Sequence, residues 1–195
     1  MTATPEETVR SYLGDLIAVL EHVSKAVATQ AGNDDLRRIA HAGRVIDNLN
    51  SVLKRQHADL EAHVKAMGGK SGGGVLKDML GTVAGALAGL YGKIRGETAS
   101  RMLRDDYTAL SFATVCSTML HTTALALDDS ATAELTLRHI QEYPPLIMEL
   151  SELIPHAVVA DLAADKVHVV NSAAAEEAIR NLNDSWRGAS VANPT

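Results

Sequence analysis

The chain has 195 residues, of which 46% are hydrophobic and 3% aromatic, and its formal net charge is −6 with a pI near 5.7. This length and apolar content can bury one substantial core, while the negative charge leaves no basic surface for duplex binding and excludes nucleic acid as the expected partner. Cys116 is the only cysteine, which excludes an intrachain disulfide and a cysteine-rich metal site.

These features predict an all-α protein in the cytoplasm. Scarce aromatic residues favour helices packed on small side chains over a sheet sandwich. The first seven residues are polar and acidic and lack the basic start and apolar run of a secretory signal. We expect a helical bundle over residues 1–165, followed by a C-terminal helix and a flexible tail over 166–195.

Two long helices are predicted in the first third of the chain. The first runs from about Pro5 to Gln30 with Thr4 as its N-cap, and its apolar residues recur at intervals of three and four. The second runs from about Asp35 to Met67, where a pair of glycines stops it. A short turn between them predicts an antiparallel hairpin.

A glycine-rich connection follows, and residues 75–93 are predicted to form a short third helix. Its glycines at positions 81, 85 and 89 recur every four residues, a spacing that lets two helix backbones approach closely. The apolar run in this helix is too short to cross about 30 Å of hydrocarbon. Packing on a neighbouring helix or a second subunit is the favoured interpretation, and a membrane-surface role is the alternative.

The next helix, roughly residues 99 to 127, carries polar groups on its inward stripe. Six residues fall on one line at about 100° per residue: Leu103, Asp106, Leu110, Thr114, Ser117 and His121. Burying the acid and the histidine costs free energy unless each is hydrogen-bonded or bound to a metal. This helix is also rich in Ser and Thr, whose hydroxyls can bond back to the helix's own carbonyls.

Two further helices are predicted. The first begins with Ser130 as N-cap, and Pro144 and Pro145 lie inside it, so we expect a kink or break near Tyr143. Its predicted core stripe is Ala133, Ile140, Ile147, Ile154 and Val158. The last helix covers Val167 to Trp186, and Trp186 is expected to dock it on the bundle or on a neighbour.

Two helix hairpins joined by a long crossover make the layout of a ferritin-like four-helix bundle. The run from Met102 to Ala163 has a helix containing Tyr107, a short acidic turn at 128–129 and an Ala-Glu-Leu start to an acidic second helix. In these features it resembles the C-terminal hairpin of the YciE/YciF-type stress proteins. The resemblance implies a ferritin-like bundle, with the glycine-rich helix in its crossover, and raises the question of a metal site.

The sequence departs from the usual ligand set of such a site. A carboxylate di-metal site takes a Glu from each of two helices and a Glu-x-x-His from each of the other two. The chain has no Glu-x-x-His, and its nearest forms are His139-x-x-Glu142 and Asp165-x-x-His168. His139 is predicted at the edge of the apolar arc of its helix and Glu142 outside it, so the pair is expected to meet solvent or another helix.

Five other polar residues are candidate metal ligands, because imidazole and carboxylate suit iron, manganese or zinc. They are Glu21, His57, Glu61, Asp106 and His121. His57 is predicted on the inward stripe of the second helix with Glu61 one turn later. Asp106 and His121 are separated by about 22 Å along their helix and cannot share one ion. The favoured interpretation is that each is a hydrogen-bonded core residue without metal.

Three functions are consistent with these observations. The first is a non-catalytic, stress-associated scaffold or partner-binding module with a degenerate metal site, which forms a homo-oligomer. The second is a diverged iron or manganese protein for storage or peroxide handling, as the superfamily resemblance implies. The third is peripheral membrane binding through residues 75–95, which the acidic charge disfavours. No nucleophilic triad or phosphate-binding loop is evident in the sequence, so an enzyme is not the favoured interpretation.

Overall fold

The computed structural model describes residues 3–68 and 98–191, with side chains described as far as residue 188. Every regular element in these ranges is a helix, which confirms the all-α prediction. The helices are α1 (Pro5–Gln30), α2 (Asp34–Arg38), α3 (Ala42–Ala66), α4 (Ala99–Ala126), α5 (Ser130–Ala164) and α6 (Ala174–Val191). The glycine-rich helix predicted over 75–93 lies outside the described residues.

The four long helices pack around one core, with α1 against α3 and α4, and α5 against the same two helices. Neighbouring helices run antiparallel. Arg10, near the start of α1, donates to the carbonyl of Met67 just beyond α3, and His63 near the end of α3 lies 2.7 Å from Thr132 at the start of α5. Helix α6 packs on the outside of α5.

Helix α1 begins and ends where the sequence predicts. The Thr4 hydroxyl accepts from the backbone N–H of Glu7, and the Glu7 carboxylate accepts from the backbone N–H of Thr4, which completes a capping box. The Glu7 carboxylate accepts from both the backbone N–H and the hydroxyl of Thr4, and these two hydrogen bonds lower the pKa of Glu7. The predicted apolar stripe is buried along the whole helix: Val9, Leu13, Leu16, Leu20, Val23 and Val27.

The second predicted helix is not continuous, and the prediction of one helix from Asp35 to Met67 is wrong. Helix α2 ends at Arg38, Ile39 adopts an extended conformation in the core, and His41 has a left-handed backbone with φ 69° before α3 begins. Periodicity could not reveal this break, because the buried residues Leu36, Ile39 and Ile46 keep helical spacing across it.

Helix α5 begins one residue earlier than predicted and does not break at Tyr143. The N-cap is Asp129 rather than Ser130, since the Asp129 carboxylate accepts from the Thr132 backbone at 3.0 Å and from its hydroxyl at 2.7 Å. The helix continues through Pro144 and Pro145. Both prolines are exposed, so the carbonyls that they leave without helical partners are on the solvent side.

The predicted core stripe of α5 is also wrong, because the helix is rotated about its own axis by about one residue relative to the prediction. Apart from Ala133, the predicted stripe is only partly buried or, at Val158, exposed. The inner face instead carries Leu135, His139, Tyr143, Leu146, Leu150, Leu153 and Ala157. This face places the large Tyr143 ring in the core and the two prolines outside it.

Helix α6 covers residues 174–191 rather than 167–186. Ala175 is buried, whereas Trp186 is 45% exposed, so the docking of α6 rests on small and aliphatic side chains more than on the tryptophan.

The register of α5 can be tested with two matched substitutions. Leu150 is 0% exposed and Leu162 is 39% exposed on the same helix. Leu150→Ala should lower the free energy of unfolding by about 2–5 kcal/mol through the cavity that it leaves, while Leu162→Ala should change it by about 0.5 kcal/mol or less. Urea denaturation measures both, and equal effects would contradict this register.

Candidate functional site

The structure brings two of the five predicted metal ligands near each other. His57 Nδ1 lies 3.9 Å from Glu61 Oε2 on the outer part of α3. His57 is half-buried rather than on the core stripe, since the neighbouring Gln56 is buried in that position. Glu21 forms a separate ion pair with Lys25 at 2.6 Å.

The other two predicted ligands lie apart on α4. Asp106 is fully buried. His121 is half-buried, and its Nδ1 lies 2.9 Å from the carbonyl of Ala133 and 3.1 Å from the hydroxyl of Thr136, which joins α4 to α5. Within residues 3–68 and 98–191, no three His, Cys, Asp or Glu side chains gather closely enough to hold a metal ion. Iron or manganese binding stays a prediction.

A polar seam links α3 to α5, made of Arg55, Gln56, Asp59, His139 and Glu142. The buried Gln56 amide donates to Glu142 Oε2 at 2.8 Å, and Arg55 pairs with the other carboxylate oxygen. His139 Nε2 lies 3.6 Å from Asp59 Oδ2. Glu142 therefore meets another helix, as expected. The predicted position of His139 at the edge of the apolar arc is wrong, because its side chain is only 3% exposed.

Burial lowers the pKa of His139 despite the opposing effects of Asp59 and Glu142, because a charged imidazole is poorly solvated there. Gln56 is a buried polar residue that the predicted inward stripe of this helix does not include. Its spacing could have identified it, since Leu49, Leu53, Gln56 and Leu60 recur at intervals of four and three on the buried face of α3.

The other buried polar groups favour stability rather than chemistry. The Tyr143 hydroxyl lies 3.3 Å from the Ser117 hydroxyl, and burial raises the pKa of Tyr143 well above its ordinary value. Burial, together with the charge of Asp15, raises the pKa of Cys116, so its thiolate is disfavoured. Neither group is activated as a nucleophile.

The outward face of α4 is apolar and exposed. Phe112, Val115 and Met119 recur at intervals of three and four and are 37%, 55% and 49% exposed. Thr108 and Thr122 extend the same face, and each hydroxyl donates to the carbonyl four residues earlier at 2.8–2.9 Å. The two threonines thus use their donors internally, as predicted for this helix. We call these five residues the α4 stripe.

Helix α4 is long and apolar enough to cross a membrane by length and composition, and it alone passes this test among the described residues. Its most apolar window is 33% buried within the protein. A buried core helix of a soluble protein passes the same test, and α4 packs against α1 and α5. The length alone therefore favours no membrane role.

No family model matches the chain, and no curated protein or solved structure matches it.

The buried His139 predicts a loss of stability in acid. Its pKa in the folded protein lies below the ordinary histidine value of 6.5, so the unfolded chain takes up a proton first as the pH falls. The stabilisation from the neutral imidazole is complete above pH 6.5 and is lost as the pH falls from there towards the folded pKa.

Urea denaturation at several pH values between 7.5 and 5 tests this. His139→Gln should show a smaller drop in unfolding free energy than the unchanged chain, because the charged neighbours Asp59, Glu142 and Arg138 are present in both and only the imidazole differs. His168→Gln, at an exposed position after α5, is the matched control and should keep the full drop. An equal drop in His139→Gln and the unchanged chain would rule out His139 as its source.

Proposed function

We propose that the protein is a non-catalytic scaffold, a helical bundle of the ferritin-like type that acts by self-association through the α4 stripe. The side-by-side packing of α1 with α3 and of α4 with α5, with antiparallel neighbours, supports this type of bundle. The raised pKa values of the half-buried Cys116 thiol and the buried Tyr143 phenol, which disfavour their nucleophilic forms, support a non-catalytic role.

The single observation that carries the proposal is the exposure of the α4 stripe on an uncharged surface. From Tyr107 to its last residue, Ala126, the helix has no Asp, Glu, Lys or Arg. Soluble proteins rarely leave a contiguous apolar stripe in water unless something binds it. Large exposed side chains at i, i+3 and i+7 are the anchors with which one helix packs against another.

The partner that this stripe suits is a second copy of the chain. In order it reads Thr108, Phe112, Val115, Met119 and Thr122, so a large apolar residue and then a threonine lie on either side of Val115. Two such helices packed antiparallel about a two-fold axis at Val115 would place Phe112 of one copy opposite Met119 of the other. Thr108 of one copy would likewise lie opposite Thr122 of the other. An isologous dimer requires this self-complementarity.

Charges at the two ends of α4 favour the same antiparallel arrangement. Arg101 at the start of the helix and Asp128 just after its end are exposed, and neither forms an ion pair within the described residues. Antiparallel packing about Val115 brings the arginine of one copy to the aspartate of the other at both ends. A parallel pair would place like charges together, so the charges select the orientation more than they add affinity.

Substitution at the axis tests self-association. Val115→Glu places two carboxylates against each other in an apolar contact and should weaken the dimer by about 100-fold or more. Val158→Glu, an exposed valine on α5, is the matched control and should leave the dimer intact. Sedimentation equilibrium of both variants and of the unchanged chain gives the masses, and a monomeric unchanged chain would refute the proposal.

Disulfide trapping tests the register. In a chain whose Cys116 is replaced by Ser, Val115→Cys should cross-link to its own copy, since axes 8–10 Å apart bring facing Cα atoms within disulfide range. Thr108→Cys alone should not cross-link, whereas Thr108→Cys mixed with Thr122→Cys should. Trapping by Thr108→Cys alone would indicate parallel packing and contradict the antiparallel arrangement.

A further inference from the structure

Met119 is the most exposed of the methionines that the structure describes. It is 49% exposed on the outer face of α4, whereas Met102 is 3% exposed in the core, and Met67 and Met148 are half-buried. A hydroperoxide oxidises a methionine only when it reaches the sulfur, so susceptibility follows exposure. Of these four side chains, Met119 is therefore the one that a dissolved oxidant reaches most readily.

The cysteine of the chain is poorly placed to compete for the same oxidant. Cys116, three residues before Met119, is half-buried, and burial together with the charge of Asp15 raises the pKa of its thiol. Peroxides react with the thiolate rather than the thiol, so a raised pKa slows this reaction. A methionine thioether has no proton to lose, so its reactivity does not depend on ionisation.

Met119 belongs to the α4 stripe, at the contact that joins two copies of the chain in the proposed dimer. In the antiparallel arrangement about Val115, the thioether of Met119 packs against the ring of Phe112 of the other copy. Sulfur and an aromatic ring attract each other at such a contact, and two-fold symmetry repeats it. Each dimer thus buries two thioethers between apolar side chains.

Among the described residues, the side chains around Met119 on the outer face of α4 have no free donor for an added oxygen. Thr118 and Thr122 are exposed on this helix, and each uses its single hydroxyl proton on the carbonyl four residues earlier, at 2.9 and 2.8 Å. The facing Phe112 and Val115 side chains have no polar hydrogen. A sulfoxide oxygen buried in this contact would lose its hydrogen bonds to water without replacement, which costs free energy.

We propose that Met119 is a site of reversible oxidation by hydroperoxides and that its sulfoxide separates the two copies of the chain; this inference rests on the self-association proposed above. The thioether sulfur attacks one peroxide oxygen, and the O–O bond breaks as the S–O bond forms. The proton of the transferred oxygen passes to the leaving oxygen. Sulfur is thereby oxidised by two electrons, and the peroxide is reduced to water or an alcohol. Methionine sulfoxide reductases remove the oxygen as water with electrons from thiols.

Self-association and oxidation of Met119 oppose each other in this account. Because the dimer covers Met119, the separated chain is the form that reacts. Oxidation then draws the equilibrium towards single chains, and the rate of oxidation falls as the protein concentration rises. A methionine on a surface that stays free would react at the same rate at every protein concentration.

Peroxide treatment of the full chain tests the site. In excess hydrogen peroxide, peptide mass spectrometry should find Met119 oxidised before Met67, Met102 and Met148, and more slowly at higher protein concentration. Sedimentation equilibrium should then show a dimer about tenfold or more weaker, and methionine sulfoxide reductase should restore it. Oxidation of Met119 that leaves the dissociation constant unchanged would overturn the inference, as would an oxidation rate independent of protein concentration.

Two substitutions separate this inference from the proposed self-association. Met119→Leu keeps an apolar side chain of similar volume, so it should dimerise like the unchanged chain and its dimer should resist peroxide. Met148→Leu, at a half-buried position on α5, is the matched control and should stay sensitive to peroxide. An untreated chain that is monomeric would refute self-association and this inference together. An untreated dimer whose Met119→Leu variant dissociates in peroxide to the same extent would refute this inference alone.

Discussion

Helix α4 has no Asp, Glu, Lys or Arg over the 20 residues from Tyr107 to Ala126, so it must cover apolar surface on more than one side, and this constraint organises the molecule. Its inner face packs against α1 and α5, and it holds Leu103, Leu110 and Leu120 out of water. The hydroxyls of α4 donate mainly to the helix's own carbonyls, so they add little polarity to either side. The outer face keeps its apolar stripe, and we propose that a second copy covers it.

Contacts between buried polar groups on different helices determine how the helices are aligned along one another. Ser117 and Tyr143 meet between α4 and α5, Gln56 meets Glu142 between α3 and α5, and His121 reaches a carbonyl of α5. A slip of either neighbour of α5 by one residue would separate these partners and leave polar atoms unpaired in the core. Of the five candidate metal ligands, only His121 takes part in these contacts.

The sequence was sufficient to predict a helix and its buried face where only one periodic pattern of residues was present. Helix α1 has a single apolar stripe, a clear N-cap and no competing pattern, so its limits and its buried face were both predictable. The stripe of polar residues on α4 was predictable for the same reason, although His121 lies at its edge and is half-buried.

The sequence was insufficient to predict the buried face of a helix that carries two apolar stripes. It was also insufficient to predict a helix break where the backbone changes direction. Helix α5 carries an isoleucine stripe beside a leucine and tyrosine stripe, and only packing decides between them. The left-handed His41 changes the chain direction without interrupting the spacing of apolar residues. A cleft lined by the α2–α3 break, α5 and Ile179 of α6 arises from tertiary packing, so no local pattern could indicate it.

The most direct test of the central claim is an isotope-filtered NOE measurement on an equimolar mixture of ¹³C-labelled and unlabelled chain. Self-association through the α4 stripe predicts intermolecular contacts from the methyl groups of Val115 to those of Val115 in the other copy, and from Met119 to the ring of Phe112. A dimer whose intermolecular contacts lie elsewhere, or a mixture that shows none, would contradict the account.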